Sequence, residues 1–151
     1  MEIDPDAPFV GRKEIFIKAS PKDVWKLQSD INRWSEWQPR IKMSKLNGPL
    51  AVGSVFHWNA GGLNITSRLR EVKPNKCIGW TGIAFGTRAR HIYAFRSQKN
   101  GTLVIAEESL DGWLAKLMKV LMPKFLEESM DFSLKTLKGK AEGGRKKKKS
   151  R

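Results

Sequence analysis

His91, Tyr93 and Glu108 are the residues whose types and spacing could support chemistry. In the run 87–97, Arg88, Arg90 and Arg96 share one side of a period-two pattern, which puts Ala89, His91, Tyr93 and Phe95 on the other. Reading Asn100-Gly101 as a two-residue hairpin turn pairs Lys99 with Thr102 and, counting back along both strands, Tyr93 with Glu108. Glu108 then shares the face of His91 and Tyr93. A buried imidazole beside a carboxylate can serve as a general base, and a phenol hydroxyl can donate to a developing oxyanion. The same three groups can instead satisfy one another, or line a cavity and orient a ligand, and alternation does not choose among these roles.

Other chemistries find little support. His57 falls on the face opposite Phe56 and Trp58 and reads as a surface residue, and with two histidines and no HExxH spacing no metal site is expected. Cys77 is the single cysteine, which excludes an internal disulfide and a multi-cysteine zinc site; its place in a strand reads as a buried or edge thiol. Ser35 and Ser54 lack a nucleophile-elbow context, and no glycine-rich loop leads from a strand into a helix. Nucleotide enzymes are poor candidates, and no cofactor is expected.

These side chains must be positioned by a single domain, since 151 residues make about one core. Hydrophobic residues at 40% and charged ones at 29% describe an ordinary globular chain. Of the formal net charge of +14, about +6 lies from Lys140 onward, where seven Lys and Arg face only Glu142. Residues 1–142 are read as the domain and 143–151 as a disordered basic tail, because nothing after Gly143-Gly144 can bury apolar surface. Such a tail attracts the phosphates of anionic lipid or nucleic acid, or only aids solubility. An acidic start without an apolar run, and no stretch near the roughly 20 residues of a membrane span, point to the cytoplasm.

Residues 9–19 read as a first strand, and Ser20-Pro21-Lys22-Asp23 as a helix start with Ser20 as cap and Pro21 in the first turn. Asp30 opens a second short helix, with Ile31, Trp34 and Trp37 at helical spacing, which Pro39 closes. Strands follow at about 40–46, 54–59, 63–72, 76–83, 87–97 and 102–110, and connections so short join antiparallel neighbours. From Gly112 to about Lys138 the period is helical, with Leu114, Leu117, Met118, Leu121, Met122, Phe125 and Phe132 on a broad face and a kink expected at Pro123. A bent helix laid across a twisted sheet tends to leave a cavity between them.

Arg68 and Arg70 face outward, so Ile65, Ser67 and Leu69 face in. Phe56 and Trp58 point inward because burying two large aromatics outweighs burying Val55 with His57, and Ile78 and Trp80 follow by similar logic. The expected lining is therefore Phe56, Trp58, Ile65, Ser67, Leu69, Ile78, Trp80, His91, Tyr93, Phe95 and Glu108 from the strands. The helix supplies Leu114, Met118, Leu121, Met122 and Phe125. Met118, Met122 and Met130 serve either as core or as an adaptable pocket wall, and Trp34 and Trp37 either as packing or, with Trp37 in the ligand set, as a lid.

Ile17-Lys18-Ala19-Ser20-Pro21 leading to Val24-Trp25, Asn32 to Pro39, Val52-Gly53-Ser54-Val55-Phe56-His57-Trp58, Ile78-Gly79-Trp80, Thr102 to Glu108 and Leu137 to Glu142 resemble the START-like (SRPBCC) superfamily. The likeness is greatest to its polyketide cyclase/dehydrase-type members and covers about 13–142. It implies an α+β helix-grip fold, a curved antiparallel sheet of about seven strands gripping the long C-terminal helix around a hydrophobic pocket. The family includes lipid carriers, hormone receptors, aromatase/cyclases and chaperone co-activators, so no single reaction is implied. The expected function is binding, transport or sensing of a small hydrophobic molecule such as a lipid, sterol or polyketide. The alternatives are a cyclase or dehydratase acting through His91, Tyr93 or Glu108, and a protein-interaction domain in which the cavity is incidental.

Overall fold

The β-branched and aromatic run at the start of the domain forms β1, Phe9–Ile17, in a computed structural model that describes residues 1–149. Two short helices follow, α1 (Pro21–Ser29) and α2 (Trp34–Trp37), the latter entered through a 3-10 turn at Ile31–Arg33. Then come β2 (Ile41–Asn47), β3 (Val55–Ala60), β4 (Leu63–Lys73), β5 (Cys77–Ala84), β6 (Thr87–Gln98) and β7 (Gly101–Asp111). The chain finishes with α3 (Trp113–Leu121) and α4 (Phe125–Lys149). Seven strands form one antiparallel sheet in the order β1-β7-β6-β5-β4-β3-β2. This is the curved helix-grip architecture, with the helices gathered on one face.

Helix α1 begins as its sequence dictates. Ser20 Oγ accepts from the Asp23 amide at 3.2 Å, and Pro21 fills a first-turn position whose missing N–H costs nothing. Ser20→Ala is expected to cost about 1 kcal/mol. An unchanged urea midpoint would mean that water satisfies that amide equally well.

The β6–β7 turn lies one residue earlier than the sequence suggests, which shifts the register of the two strands by two residues. Gln98 pairs with Gly101, so the loop residues are Lys99 and Asn100, and Asn100 takes the left-handed conformation at φ 67. Gly101 is needed for another reason: a Cβ there would lie 2.2 Å from the Ile17 carbonyl oxygen of β1. His91, not Tyr93, therefore faces Glu108, and Tyr93 faces Ala106. Because the slip is even, every side chain keeps its predicted face.

The long C-terminal helix is two helices rather than one kinked one. Proline lacks the amide for the helical ladder and its ring crowds the preceding turn, and the break falls at Met122-Pro123-Lys124. The break resets the helical phase, and the core stripe of α4 is Leu126, Met130, Leu134, Leu137 and Ala141. Helix α4 presses on β1 at Gly11, where a Cβ would lie 2.6 Å from Met130 Sδ. Its backbone is helical to Lys149, through residues expected to be disordered from 143 onward. Ser150 and Arg151 of that tail lie outside the described residues.

Candidate functional site

Small side chains on the inner face of the sheet create a hollow. The register aligns Ser67, Gly82, Ala89 and Leu110 across β4 to β7, and Ala84 and Ala106 lie beside this row. With serine, glycine and alanine along most of this row, a cavity of about 410 Å³ remains between the sheet and the helices. Its roof is Leu114 and Met118 of α3, Phe125, and the α4 stripe Ser129, Phe132, Ser133 and Thr136. Those four follow i, i+3, i+4, i+7 spacing and turn a partly polar face inward. At the rim, the Arg40 guanidinium lies 3.9 Å from the centroid of the Phe132 ring and bridges the start of β2 to α4.

An aromatic wall bounds one side. Trp34 is fully buried and meets Phe56, Trp58 and Trp80 with ring centroids 5.6, 5.3 and 5.4 Å away. Its indole N–H donates to the Gln28 carbonyl at 3.0 Å, and Trp58 donates to Ser67 Oγ at 3.0 Å, so neither polar edge is left unsatisfied. Such pairs add about 0.5–1.5 kcal/mol beyond burial, which favours a rigid wall over a mobile lid.

Of the expected lining, Trp58, Ile65, Ser67, Trp80, His91, Tyr93, Glu108, Leu114, Met118 and Phe125 do border this cavity. Phe56, Leu69, Ile78 and Phe95 do not: they share the inward face but are sealed in the core. Trp34 and Trp80 cover Phe56, while Ile78 and Phe95 lie on β5 and β6, against which α1 packs. Leu121 and Met122 are exposed, because the helix break ends the inward stripe of α3 at Met118. Trp37 borders a separate, more open cleft between α1 and the β6–β7 turn, lined largely by polar and charged groups such as Asp23, Lys26, Arg33 and Glu36. Sequence reasoning placed Ala89 on the inward face without counting it as lining, and missed Gly82, Ala84 and Ala106, which the same alternation places inward; their small size was the signal. It also missed Gln38, Arg40 and the polar α4 stripe, which became legible only once Pro123 separated the helices.

The polar cluster sits on the cavity wall. His91 Nε2 contacts Glu108 Oε1, its partner across the strands, and the His91 ring meets Trp80 at 5.2 Å and Tyr93 at 5.8 Å. Burial among these aromatics disfavours charge. It pushes Glu108 up to about 8 and His91 down to about 3, and it raises the Tyr93 phenol, with the neighbouring Glu108 charge adding to that. Near neutrality the cluster is therefore uncharged: the Glu108 carboxylic acid donates to His91 Nε2, and Tyr93 keeps its proton. With Nε2 accepting, the imidazole proton sits on Nδ1, which is buried without a hydrogen-bond partner. His91 is then a weak base, whereas Glu108 is placed to donate.

His57 lies on the outer face against Thr66, and Cys77 is a buried thiol on an interior strand, its ionisation disfavoured chiefly by burial. Among the described residues no three His, Cys, Asp or Glu side chains converge to hold a metal ion, and no helix is long and apolar enough to cross a membrane.

No curated protein matches the sequence. The fold is similar to that of a hypothetical protein from Helicobacter pylori, with TM-score 0.81 and 15% identity over 92% of this chain and 91% of the other. It is similar to the Zhui aromatase/cyclase from Streptomyces sp. R1128, with TM-score 0.75 and 14% identity over 89% and 93%. A START superfamily protein from Mycobacterium smegmatis aligns with TM-score 0.73 and 14% identity over 89% and 97%. The family described as polyketide cyclase / dehydrase and lipid transport matches residues 9–142. With the helix-grip fold and the match spanning nearly the whole domain, the chain belongs to the polyketide cyclase / dehydrase and lipid transport family.

Proposed function

We propose that this protein binds a small, mostly apolar molecule, of lipid, sterol or polyketide type, within the sheet–helix cavity, and that it does so in the cytoplasm. The observation that carries this reading is the cavity of about 410 Å³, walled by Trp34, Trp58, Trp80, Met118 and Phe125, with the titratable cluster His91, Tyr93 and Glu108 on one wall and the hydroxyls of Ser129, Ser133 and Thr136 opposite. Apolar walls with a few convergent polar groups are the common form of ligand sites. The uncharged cluster suits recognition of a ligand carbonyl or hydroxyl, since Tyr93 keeps its phenol proton and the His91 Nδ1 proton lacks an acceptor, while the Glu108 proton is held by His91 Nε2.

Purified protein is expected to bind an apolar fluorescent probe and to yield, on extraction and mass spectrometry, a small molecule that displaces it. A chain that takes up no apolar probe and carries nothing would sink the reading. A cyclase or dehydratase is the second reading, favoured by the poised acid at Glu108. General bases work best with a pKa near the operating pH, and His91 lies far below it, which is why binding is placed first. For an enzyme, Glu108→Gln abolishes turnover of the displaced molecule; for a carrier, only its affinity changes.

A further inference from the structure

Helix α3 turns an apolar face to solvent. Trp113, Leu117, Val120 and Leu121 follow i, i+4, i+7, i+8 spacing and are all exposed, Val120 by 78%. Leu114 and Met118, on the adjoining side, border the cavity. Beside the helix, the β5–β6 turn presents Phe85, exposed by 71%, whose ring meets Trp113 edge-on at 5.3 Å. The turn and helix are locked together at Gly86, in the left-handed conformation at φ 66, where a Cβ would lie 2.6 Å from Leu114 Cβ. The apolar tip is thus held in one shape. Lys116, Lys119 and Lys124 accompany it, and no acidic residue occurs from 113 to 126.

We propose that this end of the molecule is a docking surface for an anionic lipid bilayer. A Trp- and Leu-bearing helix face edged by lysines matches the headgroup boundary, where apolar side chains sink about 5–10 Å and cations meet lipid phosphates. The charge pattern selects the occupant. A second copy meeting this face through a two-fold axis would set its lysines against each other, which costs free energy. The surface differs from the basic C-terminal run and does not rest on the cavity having a ligand.

The test is flotation of the full chain with vesicles of phosphatidylcholine containing about 30% phosphatidylserine, compared with phosphatidylcholine alone, at about 0.1 M salt. The protein is expected to float with the anionic vesicles and to bind neutral ones at least about tenfold more weakly. Val120→Ser with Leu121→Ser should reduce anionic binding at least about tenfold with an unchanged melting temperature, since both side chains are exposed. Lys116→Ala with Lys124→Ala should flatten its salt dependence. A chain truncated after Gly143 should keep the sensitivity to the serine pair. Equal flotation of the wild type and the serine variant, loss of all binding on truncation alone, or no flotation at all would overturn the proposal. So would self-association that the serine pair abolishes, because the face would then be covered by a second copy.

Discussion

Ala89→Phe is expected to weaken binding of an apolar probe by at least about a hundredfold, or about 3 kcal/mol, without lowering the melting temperature. Ala89 lies in the row of small residues that forms the cavity floor, between Gly82 and Leu110. In a filled core an added ring costs about 1–3 kcal/mol through forced rotamers and backbone shifts. Here the ring enters existing space, where it gains contacts that the alanine lacks. Loss of binding together with retained stability separates an occluded cavity from a damaged fold. Unchanged probe affinity in a folded Ala89→Phe chain would place the binding site elsewhere.

The second large effect is on pH dependence. Glu108 has a folded-state pKa raised from 4.5 to about 8, so the folded chain holds a proton that the unfolded chain gives up, and stability falls as pH rises through that interval. His91 is lowered from 6.5 to about 3, so the unfolded chain takes up a proton that the folded one refuses, and stability falls as pH drops through that interval. The two slopes oppose each other between about pH 4.5 and 6.5, leaving a plateau. Above it only Glu108 contributes, and between pH 6.5 and 8 the wild type is expected to lose about 2 kcal/mol from this residue. Glu108→Gln keeps a neutral donor beside His91 and should remove that loss. Urea melts of both chains at about pH 5.5 and pH 8 decide it: stabilities declining in parallel would show that Glu108 is already ionised in the folded protein.

How much of this site could be read beforehand depended on the kind of constraint. Arg88, Arg90 and Arg96 made the phase of β6 legible, because a guanidinium can rarely be buried without a partner. The β6–β7 register was missed by an even slip, since Asn100 supplies the left-handed residue while Gly101 answers a steric demand from Ile17, a contact between residues far apart in sequence. Inward-facing residues were legible, but those bordering the cavity were not separable from those in the core. Phe56 and Trp58 have the same alternation, yet Trp34 seals the one and leaves the other beside open space. That distinction is set by where two helices land on the sheet, and Pro123 moved both landing points by ending one helix and restarting the phase of the next. Leu121 and Met122 were assigned inward for this reason.

Pairing of β1 with β7 ties the first strand of the domain to the last, from Phe9 opposite Leu110 to Ile17 opposite Thr102. Every other ladder joins strands that follow one another, so β2 to β7 can assemble as successive hairpins while the chain is still being synthesised. The opening strand has no ladder to join until nearly three-quarters of the chain has emerged, and closure of that loop is the least local step in the topology. Without β1 docked, β7 offers a bare edge of unpaired amides and carbonyls. A chain with β1 deleted would therefore be the species most prone to aggregate, and the order of synthesis guards against such a bare edge by making the protecting strand first.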